Sequence, residues 1–151
     1  MFNIVLVEPE IPHNTGNIIR TCAATNSKLH LIKPLGFSLD DKNLKRAGLD
    51  YRDLAMVDIH NNLVEFFEKF EGKQFYYLTT KVSKPYHKVK FKDGDFLLFG
   101  KETAGLPEDL IKSNPDTAIT VPMVKKARSL NLSNSVALVV YEALRQTGFN
   151  F

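Results

Sequence analysis

The chain has 151 residues, of which 44% are hydrophobic, 25% charged and 11% aromatic. That size is one ordinary domain, and the composition excludes a disordered tail or a disulfide-stapled miniprotein. The net charge of +3, from 20 Lys and Arg against 17 Asp and Glu, permits a polyanionic partner without demanding one.

The first segment, residues 2–7, is apolar for the length of one strand and then meets Glu8 and Pro9. It lacks a basic flank and a small-residue cleavage site, so it reads as a strand and not as a signal peptide. A helix follows over 15–26, then a strand over 29–32. Residues 40–51, with Gly48 inside, read as a polar excursion over the surface. A strand at 55–59 precedes a helix at 62–70. Strands at 75–78, 96–99 and 119–121 follow, and a helix at 134–146 ends at Gly148. Several strands are apolar at successive positions, which suggests burial on both faces, as in a parallel sheet. The expectation is a single α/β domain over 1–151, mainly parallel, with helices on its flanks.

In the last helix, Val136, Val139, Val140, Ala143 and Leu144 form a core stripe. Leu138 and Tyr141 extend the apolar surface to a second face. This fits either a helix sunk deep in the monomer or a contact with a second copy. The single cysteine, Cys22, cannot form an internal disulfide. No apolar run approaches the roughly 18–20 residues that span a bilayer. A cytoplasmic protein with no membrane partner is expected.

Several chemistries lack their residues. There is no G-x-G-x-x-G turn. The segment 100–105 has P-loop glycine spacing, but Leu106 and Pro107 stand where Lys and Ser or Thr are needed. There is no nucleophile elbow, and His13, His30, His60 and His87 are scattered, so no metal site is expected.

Three dense polar segments remain, each after a strand, where ligands bind in open α/β sheets. In the first, residues 8–20, Asn14 or Thr15 can cap a helix whose buried face is Ile18, Ile19, Cys22 and Ala23. Asn17, Arg20 and Thr21 fall on the opposite side. Arg20 suits phosphate or ribose oxygens, or is a solvated surface cation. In the second, residues 98–107, Gly100 lets a ligand approach the backbone and Pro107 can open the next helix. An ordinary turn explains much of this segment, but explains Glu102 least. In the third, residues 121–135, Lys125, Lys126 and Arg128 cluster without a nearby acid. Ser129, Asn131, Ser133, Asn134 and Ser135 exceed what one helix cap needs, and Leu130 and Leu132 suggest a loop packed inward.

Together these segments resemble the SPOUT family of S-adenosylmethionine-dependent RNA methyltransferases. The pattern P-x-N-x-G-N-x-x-R is met by Pro12, Asn14, Gly16, Asn17 and Arg20. F-G-x-E-x-x-G-[LI]-P is met by Phe99, Gly100, Glu102, Gly105, Leu106 and Pro107. P-M-x-x-x-x-R-S-L-N-L-S-N-S-V-A runs from Pro122 to Ala137. The resemblance covers essentially the whole chain and is nearest to the small enzymes that methylate the ribose 2′-oxygen at tRNA wobble position 34, in certain leucine tRNAs.

The resemblance implies a C-terminal deep trefoil knot, a homodimer with active sites near its interface, and S-adenosylmethionine as the cofactor, with no metal. It places the cofactor at Leu78 and Thr79, at Gly100, at Val121 and Met123, and at Ser129 and Leu130. The residue matching Arg20 is catalytic, with Asn14, Glu102, Ser129 and Asn131 positioning Arg20, cofactor and ribose. A guanidinium is a poor base at neutral pH, so Arg20 reads better as a cation that stabilises alkoxide charge than as a base. Contacts to the tRNA anticodon loop are expected from Lys45, Arg46, Lys125, Lys126 and Arg128, with the lysines of 81–92 as further candidates. Two other readings stay open: methylation of another tRNA or rRNA site, and a knotted RNA-binding module without turnover.

Overall fold

The structure is a computed structural model that describes residues 1–40, 42–45 and 56–151. Six parallel strands form one sheet: β1 (Asn3–Val7), β2 (Lys28–Ile32), β3 (Val57–His60), β4 (Phe75–Leu78), β5 (Phe96–Phe99) and β6 (Ala118–Ile119), in the order β3-β2-β1-β5-β4-β6. The helices are α1 (Pro12–Ala24), α2 (Lys42–Lys45), α3 (Leu63–Lys69), α4 (Glu108–Lys112) and α5 (Leu132–Gln146), with a 3-10 turn at Tyr86–Lys88.

The continuous apolar runs have the expected cause. In β1, Ile4 and Leu6 face one side of the sheet, and Val5 and Val7 the other. The first side packs on α1 through Ile18, Ile19 and Cys22, and on α5 through its whole expected stripe from Val136 to Leu144. The second side packs on α3 through Phe66 and on α4 through Ile111. Covered on both faces, β1 and β5 are buried throughout, apart from Asn3 at the edge of β1. Cys22 sits in the first core layer, where burial pushes its thiol up to about 12 and leaves it inert.

Four elements differ from expectation. Helix α1 begins at Pro12, three residues early, so Asn14 and Thr15 lie inside it and are buried. The Thr15 hydroxyl finds no partner and caps nothing. Ala23 is exposed, because the core stripe of α1 ends at Cys22. Strand β6 is Ala118–Ile119, since Val121 has already left the ladder. Helix α5 starts at Leu132 because Asn131 accepts the N–H groups of Ser133 and Asn134. Within the excursion, Leu44 is 1% exposed and belongs to the core, so this part docks against α1. Arg46 and Gly48 lie outside the described residues. The end of α5 matches its expected Gly stop. Gly148 N–H donates to Arg145 O and Phe149 N–H to Leu144 O, a Schellman pattern.

The topology also joins two histidines that are 30 residues apart. His30 Nδ1 lies 3.0 Å from His60 Nε2, and His30 Nε2 lies 3.0 Å from Asn3 Oδ1. Phe66, Phe70 and Phe96 ring the pair. Burial, and then the neighbouring His60, push the His30 imidazole down to about 4, and burial also lowers His60. The fold therefore requires a neutral His30. Stability is full above the unfolded value near 6.5 and falls as the unfolded chain takes up protons below it, until the folded value is passed near 4. Thermal unfolding should lose about 3 kcal/mol from this group between pH 7 and pH 4. A His30→Gln variant should show a shallower slope over that range. An unchanged slope would remove His30 as its source.

Candidate active site

Parallel strands deliver their following loops to one edge of the sheet. Four adjacent strands, β1, β5, β4 and β6, do so here. Their loops enclose a cleft of about 650 Å³. It is lined by every residue expected to touch the cofactor: Leu78, Thr79, Gly100, Val121, Met123, Ser129 and Leu130. Asn14, Glu102, Asn131 and Arg128 line it too.

The floor of the cleft is the loop after β5, which doubles back so that Gly105 N–H donates to Lys101 O at 2.9 Å. This return brings backbone onto backbone. A Cβ on Gly100 would lie 2.0 Å from Gly105 C and 2.1 Å from Leu106 N. No side chain can enter there without displacing the loop.

Glu102 is aimed by that loop at the start of α1. Its Oε2 accepts the Ile11 N–H at 2.6 Å, and its two oxygens accept the Glu10 N–H at 3.1 and 3.2 Å. Helix α1 has no capping side chain of its own, and Ile11 stands at its N-cap. The carboxylate takes that part from 91 residues away, where it also suits the positive end of the helix dipole. Both oxygens thus accept from backbone donors, which makes Glu102 a positioning group.

Asn131 closes a second link. Its Oδ1 accepts the N–H groups that begin α5, and its Nδ2 donates to Asn14 Oδ1 at 3.0 Å. The order of these bonds orients Asn14, whose carbonyl is taken and whose remaining amide N–H groups are donors beside the cleft. The three sequence segments are therefore hydrogen-bonded to one another.

Other expected residues lie elsewhere. Arg20 is exposed on α1, about 9 Å further along the helix axis than Asn14 by the rise per residue, and outside the cleft lining. Lys125 and Lys126 are exposed and also outside it. Leu130 lines the cleft while 41% exposed, and so is not packed inward; Leu132 packs partly on the core. Lys45 ends α2, and Arg46 is not described. The sequence reading missed Ile11, Lys81, Lys101 and Thr103 in the lining. Their signal was adjacency to the motifs, because a loop that doubles back brings neighbours of a motif residue to the same wall. Lys81 Nζ lies 3.2 Å from Glu108 Oε1. Among the described residues no three His, Cys, Asp or Glu side chains are placed to hold a metal ion, and no helix is long and apolar enough to cross a membrane.

The model of the SpoU rRNA methylase family matches residues 1–141. The chain belongs to that family. It is 51% identical over 150 residues to the tRNA (cytidine(34)-2′-O)-methyltransferase of Escherichia coli K12, covering 99% of this chain and 96% of that protein. A solved structure concerned with the 2-OH methylation of C/U34 on tRNA superposes with a TM-score of 0.90 at 40% identity, over 98% of this chain and 91% of that one. An AdoMet-bound rRNA methyltransferase from Sinorhizobium meliloti superposes at 0.82 with 25% identity, over 95% of this chain and 56% of that one. The α/β fold with its parallel sheet and flanking helices agrees with these structures.

The close approach at Gly100 yields a prediction. Gly100→Ala should cost about 2–3 kcal/mol of stability by overpacking and should weaken binding of S-adenosylhomocysteine more than tenfold. Melting and isothermal titration measure the two effects. Normal binding by the variant would mean that the floor of the cleft tolerates displacement.

Proposed function

We propose that the protein transfers a methyl group from S-adenosylmethionine to the ribose 2′-oxygen of nucleotide 34, a cytidine or modified uridine, in leucine tRNAs. The carrying observation is that the residues matched to cofactor positions, drawn from three separate loops, line one cleft. The relatives named for cytidine 34 extend over nearly the whole chain, which favours tRNA over the rRNA of the family's description.

The cleft fits the cofactor on its own geometry. Gly100 lets the loop after β5 fold back on itself to form the floor, and about 650 Å³ is ample for a molecule of that size. Backbone groups at Leu78, Thr79, Gly100, Val121, Met123, Ser129 and Leu130 would hold it. S-adenosylmethionine supplies a methyl group activated by a sulfonium, so the protein's task is alignment and charge. Asn14 donates to an oxygen of the ribose or its phosphate. Arg20, which lies on α1 outside the cleft lining, binds the flanking phosphate through its guanidinium and stabilises the alkoxide that develops at the 2′-oxygen. The proton leaves to a phosphate oxygen or to water. Lys45, Arg46, Lys125, Lys126 and Arg128 contact the anticodon loop, whose unstacked base can be presented to the cleft.

The protein acts as a homodimer in the cytoplasm, where its tRNA is, and its C-terminal segment forms the deep trefoil knot. What supports the dimer is Leu138 and Tyr141, 43% and 46% exposed on α5 opposite the core stripe. A 151-residue monomer has little surface for a tRNA, and a second copy doubles it.

Incubation with unmodified tRNA and labelled cofactor, followed by mapping of the methylated nucleotide, tests the reading. Label at nucleotide 34 is expected; label elsewhere, or none, overturns it. Arg20→Ala should lower turnover at least a hundredfold while cofactor affinity stays within about twofold. Tyr141→Glu should give a monomer by light scattering and lose turnover at least tenfold. Full turnover by that monomer would refute the need for a dimer.

A further inference from the structure

Glu102 does not act alone at the junction of the first and second loops. Glu10 returns the contact. Its Oε1 accepts the Thr103 N–H at 3.1 Å and the Thr103 hydroxyl at 2.7 Å, while its own N–H donates to Glu102. Two carboxylates thus cross between the same two loops in opposite directions, each bonded to the backbone of the other's segment. We propose that Glu10 is a positioning residue, which holds residues 101–105 in place as the floor of the cofactor cleft through Thr103. The proposal rests on the cofactor reading of that cleft and adds a residue that the sequence motifs did not single out.

The segment that carries Glu10 is itself fixed from behind. Glu8 takes φ 55°, and its N–H donates to Ile32 O at 2.9 Å. Gly36 N–H donates to Pro9 O at 2.9 Å, and a Cβ on Gly36 would lie 2.8 Å from Glu10 Cα and O. The backbone of Glu10 is therefore clamped between the loop after β2 and the loop after β5. A carboxylate anchored in this way can restrain the tip of the opposite loop. Thr103, Ala104 and Gly105 are exposed and have few other holds: Gly105 bonds Lys101, and Thr103 bonds Glu10. The hydrogen bonds from Thr103, helped by the charge of Lys101, also keep the Glu10 carboxyl below its ordinary value, so it stays an acceptor at neutral pH.

The acceptor oxygen is what matters here, and glutamine keeps it. In ligand-free protein, the Thr103 amide should exchange hydrogen faster in Glu10→Ala than in wild type, and Glu10→Gln should restore protection. Titrated with S-adenosylhomocysteine, Glu10→Ala should bind roughly 3- to 10-fold more weakly and Glu10→Gln within about twofold. Turnover should show the loss in KM for the cofactor, with kcat nearly kept. Unchanged Thr103 exchange in Glu10→Ala would overturn the proposal. Equal weakening in the Ala and Gln variants would also overturn it, since charge and not the acceptor would then matter. If wild type fails to bind S-adenosylhomocysteine, the cofactor reading falls, and amide exchange still decides the contact. Should Glu10→Ala not fold, Thr103→Val removes only the hydroxyl donor from an exposed residue. It should weaken binding in the same direction, and normal binding would count against the proposal.

Discussion

The backbone of Gly100 lies against that of Gly105 and Leu106, and the site depends on this contact. It lets the chain leave β5, turn back and present a tip of five residues over the ends of the strands. At the tip, Glu102 meets the first turn of α1, a helix that brings no capping side chain of its own. Once α1 is placed, Asn14 faces the cleft and accepts from Asn131, and Asn131 in turn starts α5. The links run from one glycine through a carboxylate and two amides to the last helix. A loss at any point loosens a wall of the cleft without exposing the hydrophobic core.

The magnitudes separate the two halves of the molecule. Core burial decides whether the chain folds, because each large apolar side chain in the two layers contributes about 1.5–3 kcal/mol. The polar links contribute less in sum, because they are few. A hydrogen bond to a charged group is worth about 1.5–3 kcal/mol when it is well made, and exposed examples fall below that. Binding needs less than folding does, because a shift of 1.4 kcal/mol is tenfold in affinity. Contacts that form a small part of the folding total are therefore strong enough to govern a ligand site. The histidine pair shows the opposite case. It lies among the aromatic rings of the second core layer, so its protonation acts on stability.

The sheet was legible because parallel strands buried on both faces leave continuous apolar runs, and all six runs became strands. The stripe of α5 was legible for a similar reason, since its period needs no knowledge of a partner. The start of α1 was not. The residues that usually cap, Asn14 and Thr15, stand near its beginning, but the cap comes from Glu102, and local sequence does not contain that contact. The same holds for His30 and His60, which only the pairing of β2 with β3 brings together, and for Leu44, an apolar residue in a polar stretch. The motifs located the cleft because its walls follow strands in chain order. They did not locate Glu10, whose partner is Thr103, a position the motif pattern leaves open.

Charge at the cleft sets a conflict that the magnitudes resolve. Lys81, Lys101 and Arg128 line it, and the proposed cofactor carries a positive sulfonium. In water, two unit charges about 8 Å apart repel by only about 0.5 kcal/mol, and salt lowers this further. An RNA backbone brings many phosphates, and each one neutralised releases counterions, so affinity for the polyanion grows with every cation at the rim. The Lys81 pairing with Glu108 is exposed on both sides, so it restrains that cation weakly. Glu102, the carboxylate in the lining, offsets one of these charges and leaves the rim net positive. The balance therefore favours a cleft whose floor recognises the cofactor by backbone and shape, while its edge remains cationic for the nucleic acid.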